Sequence, residues 1–99
     1  MSNKAQIIRK HGPPSVMQWE TWYVPEPKTR EVKIRHTAIG VNYIDTYHRS
    51  GLYPVKLPSG IGLEGAGVVT QVGSEVKNFN KGDNIAYAAP PLGSYSEER

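Results

Sequence analysis

Four residues have types and spacing that could do chemistry: Asn42, Asp45, Tyr47 and Tyr53. Asn42 is a strong helix N-cap, and Asp45 follows three residues on, near the positive end of a helix dipole. A helix start offers free backbone N–H groups, which suit an anion. Asp45 in the first turn partly cancels that charge, so the pair suits hydrogen bonding to a hydroxyl or an amide. Tyr47 and Tyr53 add flat faces for a ring and phenolic donors at their tips. The same residues have a plainer reading, in which Asn42 and Asp45 cap the helix and Tyr47 belongs to the core. Spacing leaves both readings open.

A second constellation lies further along. Gly62, Gly65 and Gly67 bracket a single carboxylate, Glu64, and the β-branched run Val68 to Val72 comes directly after. Glycine inside a strand-like pattern marks a bulge or a close approach of backbone, where a Cβ would clash. Glu64 could be a catalytic group, a metal ligand or a structural hydrogen-bond anchor. The anchor is favoured, because buried carboxylates persist mainly where N–H groups or cations pair with them. These glycines do not have the spacing of a dinucleotide fingerprint, and a strand rather than a helix follows them. His11, His36 and His48 lie far apart without ligand spacing and read as ordinary surface or packed residues. No Ser/His/Asp arrangement can be assembled, so no catalytic residue is assigned.

The elements that must position these groups are short. Ala5 to Arg9 reads as a first strand, broken by His11-Gly12-Pro13-Pro14. Val16 to Val24 reads as a second strand, with Met17 and Trp19 on one side and Gln18 and Glu20 on the other. Pro25 to Lys28 is a turn. Glu31 to His36 alternates as a half-buried strand, Val32 and Ile34 inward, and Thr37 to Val41 is expected to dive into the core. Residues 42–50 form one short helix, with Ile44, Tyr47 and His48 on one face, Arg49 in the last turn and Gly51 at the left-handed position beyond it. Leu52 to Ile61 is a loop, and Val68 to Val72 a buried strand. Gly73 to Gly82 is a connection with Val76 and Phe79 as apolar plugs. Asn84 to Ala88 is a further strand, and Gly93 to Ser96 begins another. About five to seven short strands with one helix make a mostly β sandwich or barrel.

Composition bounds the rest. Ninety-nine residues allow one domain with a modest core. Ten glycines and eight prolines favour turns and short strands over long helices. The net charge of +3 is scattered, with no dense Lys/Arg block, so no nucleic-acid partner is expected. The absence of cysteine excludes disulfides, Cys-ligated zinc and a thiol nucleophile. Nothing resembles a signal peptide, and no apolar run is long enough to span a bilayer, so a cytoplasmic location is expected.

Five segments, in order and spacing, match a known family. They are Ala38 to Tyr47, Arg49 to Pro54, Leu57 to Val69, Val72 to Val76 with Lys81-Gly82-Asp83, and Leu92 to Ser96. Over nearly its whole length the chain resembles the N-terminal part of the zinc-free quinone oxidoreductases, the zeta-crystallin branch of the medium-chain dehydrogenase/reductases. The resemblance implies a GroES-like, partly open β-barrel truncated before the Rossmann domain, so that residues 1–99 form an incomplete substrate-side domain. It implies NADPH as cofactor and a quinone or related small molecule as acceptor. By position, Asn42, Tyr43, Ile44, Asp45, Thr46 and Tyr47 match the stretch that meets the nicotinamide end, and Tyr53 matches a residue lining the quinone pocket. Zinc-dependent cousins carry Cys where Ile44 stands and His where Leu63 stands, so no metal is expected. The chain is expected to be inactive alone. The alternative is a non-catalytic GroES-like interaction or assembly module. A strand edge left unpaired near Tyr95 would favour self-association, so a homo-oligomer is expected.

Overall fold

The computed structural model describes residues 3–99. Two three-stranded antiparallel sheets make up most of it. Strands β1 (Lys4–Ile8), β2 (Gln18–Thr21) and β4 (Ser59–Gly60) form one, in the order β2-β1-β4. Strands β3 (Val32–Ile39), β5 (Glu64–Val72) and β6 (Asn84–Ala88) form the other, in the order β3-β5-β6. Helix α1 (Tyr43–Ser50) connects β3 to the β4 loop. Among the described residues no helix is long and apolar enough to cross a membrane.

The chain's last residues join the sheets. Gln6 N–H donates to Tyr95 O at 2.8 Å, and Glu97 N–H to Lys4 O at 2.9 Å. On the other side, His36 N–H donates to Glu97 O at 2.8 Å, and Ile34 and Arg99 exchange both backbone bonds at 2.7 and 3.0 Å. This closing segment, residues 94–99, lies between β1 and β3, while β2 and β6 remain as edges. The result is the partly open barrel expected for a GroES-like fold. The edge near Tyr95 is therefore not unpaired, and that ground for self-association is withdrawn.

Alternation explains the core. Ala5 and Ile7 of β1, Ile34 of β3 and Val69 of β5 point inward and are buried, with Ile8, Val16 and Ile61 forming a cluster against Met17, Val55, Leu57 and Tyr95. Four expectations need correction. The strand expected over residues 16–24 is only Gln18–Thr21, because Pro14–Val16 form a 3-10 turn, and Trp19 is 50% exposed on what is an edge strand. The turn expected at Pro25 to Lys28 falls later, closed by Glu31 N–H on Lys28 O at 3.0 Å. Finally, Ile39 and Val41 do not enter the core. The pairing of β3 with β5 jumps from His36–Gly67 to Ala38–Ala66, which leaves Thr37 as an extra residue. A bulge of this kind bends the strand and re-aims the residues beyond it. Phe79 likewise is not a buried plug, being 39% exposed.

Candidate functional site

Helix α1 begins as the sequence indicates. Asn42 is extended (φ −127°, ψ 153°), and its N–H donates to Asp45 Oδ2 at 3.0 Å, one half of a capping box. The helix ends at Gly51, whose φ of +91° is a left-handed value that glycine adopts without steric cost. Gly51 N–H and Tyr53 N–H both donate to Tyr47 O, at 3.1 and 3.2 Å. That pair of bonds folds the next segment back along the helix.

The fold-back assembles an aromatic row. The Tyr47 ring is 5.3 Å from Tyr53, edge to face, and 6.0 Å from Tyr43, while His48 is 6.4 Å from Tyr53. Such edge-on and tilted pairs are favourable beyond their area. Tyr43 is 80% exposed and Tyr53 51%, and Val41 and Leu52 beside them are exposed as well. Sequence-predicted site residues Tyr43, Tyr47 and Tyr53 thus share one accessible apolar face, with Asn42 and Thr46 at its polar end. Thr46 Oγ1–H donates to Tyr43 O at 2.6 Å, within the helix. Ile44 is half-buried and carries no donor atom.

Asp45 is different. It is only 3% exposed, and it is the helix's buried residue, in place of the Ile44, Tyr47 and His48 face. Its Oδ2 accepts a second bond, from the Tyr95 hydroxyl at 2.7 Å. Burial first, then that bond and the charge of Asp45, push the Tyr95 phenol well above its usual pKa, so it stays a donor. Tyr95 is in turn held by its own N–H on Ile61 O at 2.9 Å, and its ring packs over Gly62. Gly62 has φ +101°, and a Cβ there would lie 2.6 Å from the Tyr95 ring. Neither Tyr95 nor this link was expected. The segment Leu92 to Ser96 contains Tyr95 but gives no sign of its partner 50 residues away.

Glu64 meets the segment that leads into the helix. Its backbone carbonyl accepts Gly40 N–H at 3.1 Å, and its carboxylate lies against the Gly40 Cα, where a Cβ would overlap it. Glu64 and Gly40 line an open depression of about 580 Å³ with Gly65, Ala66 and Tyr87. The two segments named from sequence are therefore neighbours, tied through Gly40–Glu64 and Asp45–Tyr95–Gly62. Asp45 and Tyr47 do not line the Glu64 depression itself.

The histidines separate. His11 packs against Gly51, in a strap joined to the helix end by Gly12 N–H on Arg49 O and Arg49 Nη1–H on Gly12 O, at 3.0 and 2.8 Å. His36 hydrogen-bonds Ser96 and Tyr87. Among the described residues no group of three or more His, Asp or Glu is placed to hold a metal.

Residues 28–97 match the family model of the alcohol dehydrogenase GroES-like domain. The chain belongs to that family. Its sequence relatives include quinone oxidoreductases. One, from Pseudomonas aeruginosa, is 57% identical over 88% of this chain and 27% of its own length. The crystal structure of Escherichia coli quinone oxidoreductase complexed with NADPH superposes with a TM-score of 0.94 at 45% identity, over 97% of this chain and 30% of that one. A 2-haloacrylate reductase from a Burkholderia species is 43% identical over 96% of this chain and 30% of its own length. The GroES-like chain spans under a third of the length of these relatives.

Proposed function

We propose that this chain is the substrate-side domain of an NADPH-dependent quinone oxidoreductase, working in the cytoplasm. The observation that carries the reading is the aromatic row Tyr43–Tyr47–Tyr53, which runs along α1 from its first residue to the loop past its end, in a chain whose relatives bear that activity in their names. The residues fit the ligands: planar, accessible phenolic faces suit a nicotinamide and a quinone ring, and no charged side chain of the helix start projects between them. In this reading Asn42, Tyr43, Ile44, Thr46 and Tyr47 form the wall that meets the nicotinamide end, Asp45 of the same stretch being buried behind it, and Tyr53 stacks on the quinone. NADPH supplies the reducing equivalents when bound.

The chain's own residues orient and exclude. Tyr43 and Tyr47 present ring faces, and Ile44 fills space without offering a ligand atom. Asp45 acts from beneath, fixing the first helical turn through Asn42 N–H and Tyr95. Ile44 and Leu63 have no metal-binding atoms, so rate enhancement rests on proximity and orientation of the acceptor rather than on zinc.

Cofactor contacts made by one wall are a minority of those a dinucleotide needs. The 99-residue chain alone is expected to give no measurable NADPH binding by calorimetry and no quinone-dependent NADPH oxidation; tight binding would overturn the inactive-alone reading. Exchanging this chain for the matching segment of the Pseudomonas aeruginosa relative should give an NADPH oxidase dependent on a simple quinone. The likeness to 2-haloacrylate reductase favours a second acceptor, a carbon–carbon double bond conjugated to a carbonyl. If the chimera reduces such a compound and ignores quinones, that acceptor replaces the quinone.

A further inference from the structure

His36 stands where three parts of the chain meet. Its Nδ1–H donates to Ser96 O at 2.8 Å, since a carbonyl can only accept, and the Tyr87 hydroxyl donates to Nε2 at 2.7 Å. When the ring is neutral, these contacts place its single proton on Nδ1 and leave Nε2 as the acceptor. Arg99 lies over the far side of the same assembly, its guanidinium carbon 4.6 Å from the Tyr87 ring centroid and its Nη2–H on Pro91 O at 2.8 Å. Arg99 also exchanges both backbone bonds with Ile34, and Glu97 O accepts His36 N–H. The ring that reads the proton and the segment that closes the barrel are therefore in direct contact.

We propose that His36 is a proton-operated latch: its neutral ring holds the closing segment against β3, and its protonation loosens residues 97–99. Protonation would force the Tyr87 hydroxyl to reverse from donor to acceptor. It would also place a second positive charge beside Arg99. The carboxylates nearby are engaged elsewhere. Glu97 Oε1 accepts Lys4 N–H at 2.9 Å, and the Glu64 carboxylate lies against Gly40. Glu98 meets β3 through a backbone bridge to Arg35, whose own side chain is exposed, and the β5 residues facing His36, Gly65 and Gly67, bring no charge. Among the described residues, no carboxylate hydrogen-bonds the His36 ring.

The direction follows from linkage. Burial of the ring holds its pKa below the ordinary 6.5, the Ser96 carbonyl pulls the other way, and Arg99 adds to the lowering. The folded chain then binds this proton less readily than the unfolded one. The stabilisation is complete above about pH 6.5 and is lost as pH falls below it towards the folded value.

Hydrogen exchange of the whole chain, followed by NMR, tests the latch. Between pH 7.5 and 5.5, the protection factors of the Ile34, His36 and Arg99 amides should fall by a larger factor than those of the β5–β6 ladder. His36→Gln, which keeps one donor and one acceptor but cannot charge, should abolish that excess. Tyr87→Phe removes the donor to Nε2 and should move the step to higher pH. The proposal is overturned if the three amides track the β5–β6 ladder, or if His36→Gln keeps the step. Should His36→Gln not fold, Tyr87→Phe decides: an upward move supports the latch and an unmoved midpoint ends it.

Discussion

Gly67→Ala is expected to destabilise the chain by about 4 kcal/mol, the size reserved for a change the fold cannot absorb. Gly67 faces His36 across the β3–β5 ladder at the point where Thr37 bulges out. A Cβ there would lie 2.8 Å from Arg35 C and 3.0 Å from His36 Cα, and nearer still to Arg35 O. These are backbone atoms of the paired strand, so no side chain can swing aside. The strands would have to part at the bulge, losing ladder bonds on both sides. A domain of this size is typically stable by only ~5–15 kcal/mol, so the loss takes a large share of the whole. Urea unfolding should show the midpoint falling with little change in slope. Gly82→Ala is the control. It has nothing within 4 Å of the added Cβ but a φ of +96°, and should cost only the left-handed strain of roughly 1–2 kcal/mol. Equal losses at the two positions would show that steric closeness at Gly67 is not what the glycine serves.

That glycine was legible because its signal is local. A small residue inside a β-branched run has few explanations, and the bulge is one of them. Asn42, Asp45 and Gly51 were legible for the same reason, since caps are written within one turn of the helix they bound. The exposure of Trp19, Ile39 and Val41 was not legible. Apolar type argues for burial, but which apolar residues find a covering layer depends on where the sheets end. Alternation cannot report that β2 is an edge or that β3 runs past its bulge into open space. Equally invisible were the contacts made across the chain. Tyr95 reaches Asp45 over 50 positions and Tyr87 reaches His36 over 51, so neither pair leaves a periodic trace. The aromatic row falls between these cases. Tyr43 and Tyr47 are a helical i, i+4 pair, but Tyr53 joins them only because two N–H groups converge on Tyr47 O.

Asp45→Ala is expected to cost about 3 kcal/mol, because hydrogen bonds to a charged group contribute roughly 1.5–3 kcal/mol and a lost helix cap about 1. The substitution strips the acceptor from two donors at once, Asn42 N–H and the Tyr95 hydroxyl. The first frees the start of α1. The second frees Tyr95, and with it the ring that packs over Gly62. The helix start and the glycine turn should then move independently, which a cap alone would not produce. Tyr95→Phe separates the two effects: it keeps the ring over Gly62 and removes only the hydroxyl, so it should cost about 2 kcal/mol. A double-mutant cycle of Asp45→Ala and Tyr95→Phe should return a coupling of at least ~1 kcal/mol, as expected for directly bonded groups. Asp45→Asn keeps an acceptor without the charge and should fall between wild type and alanine. Additive losses in thermal or urea unfolding would mean that Asp45 caps the helix and does nothing for the closing segment. Measurable coupling would instead make a buried carboxylate, and not the exposed tyrosines, the group that ties the start of α1 to the Gly62 turn through Tyr95.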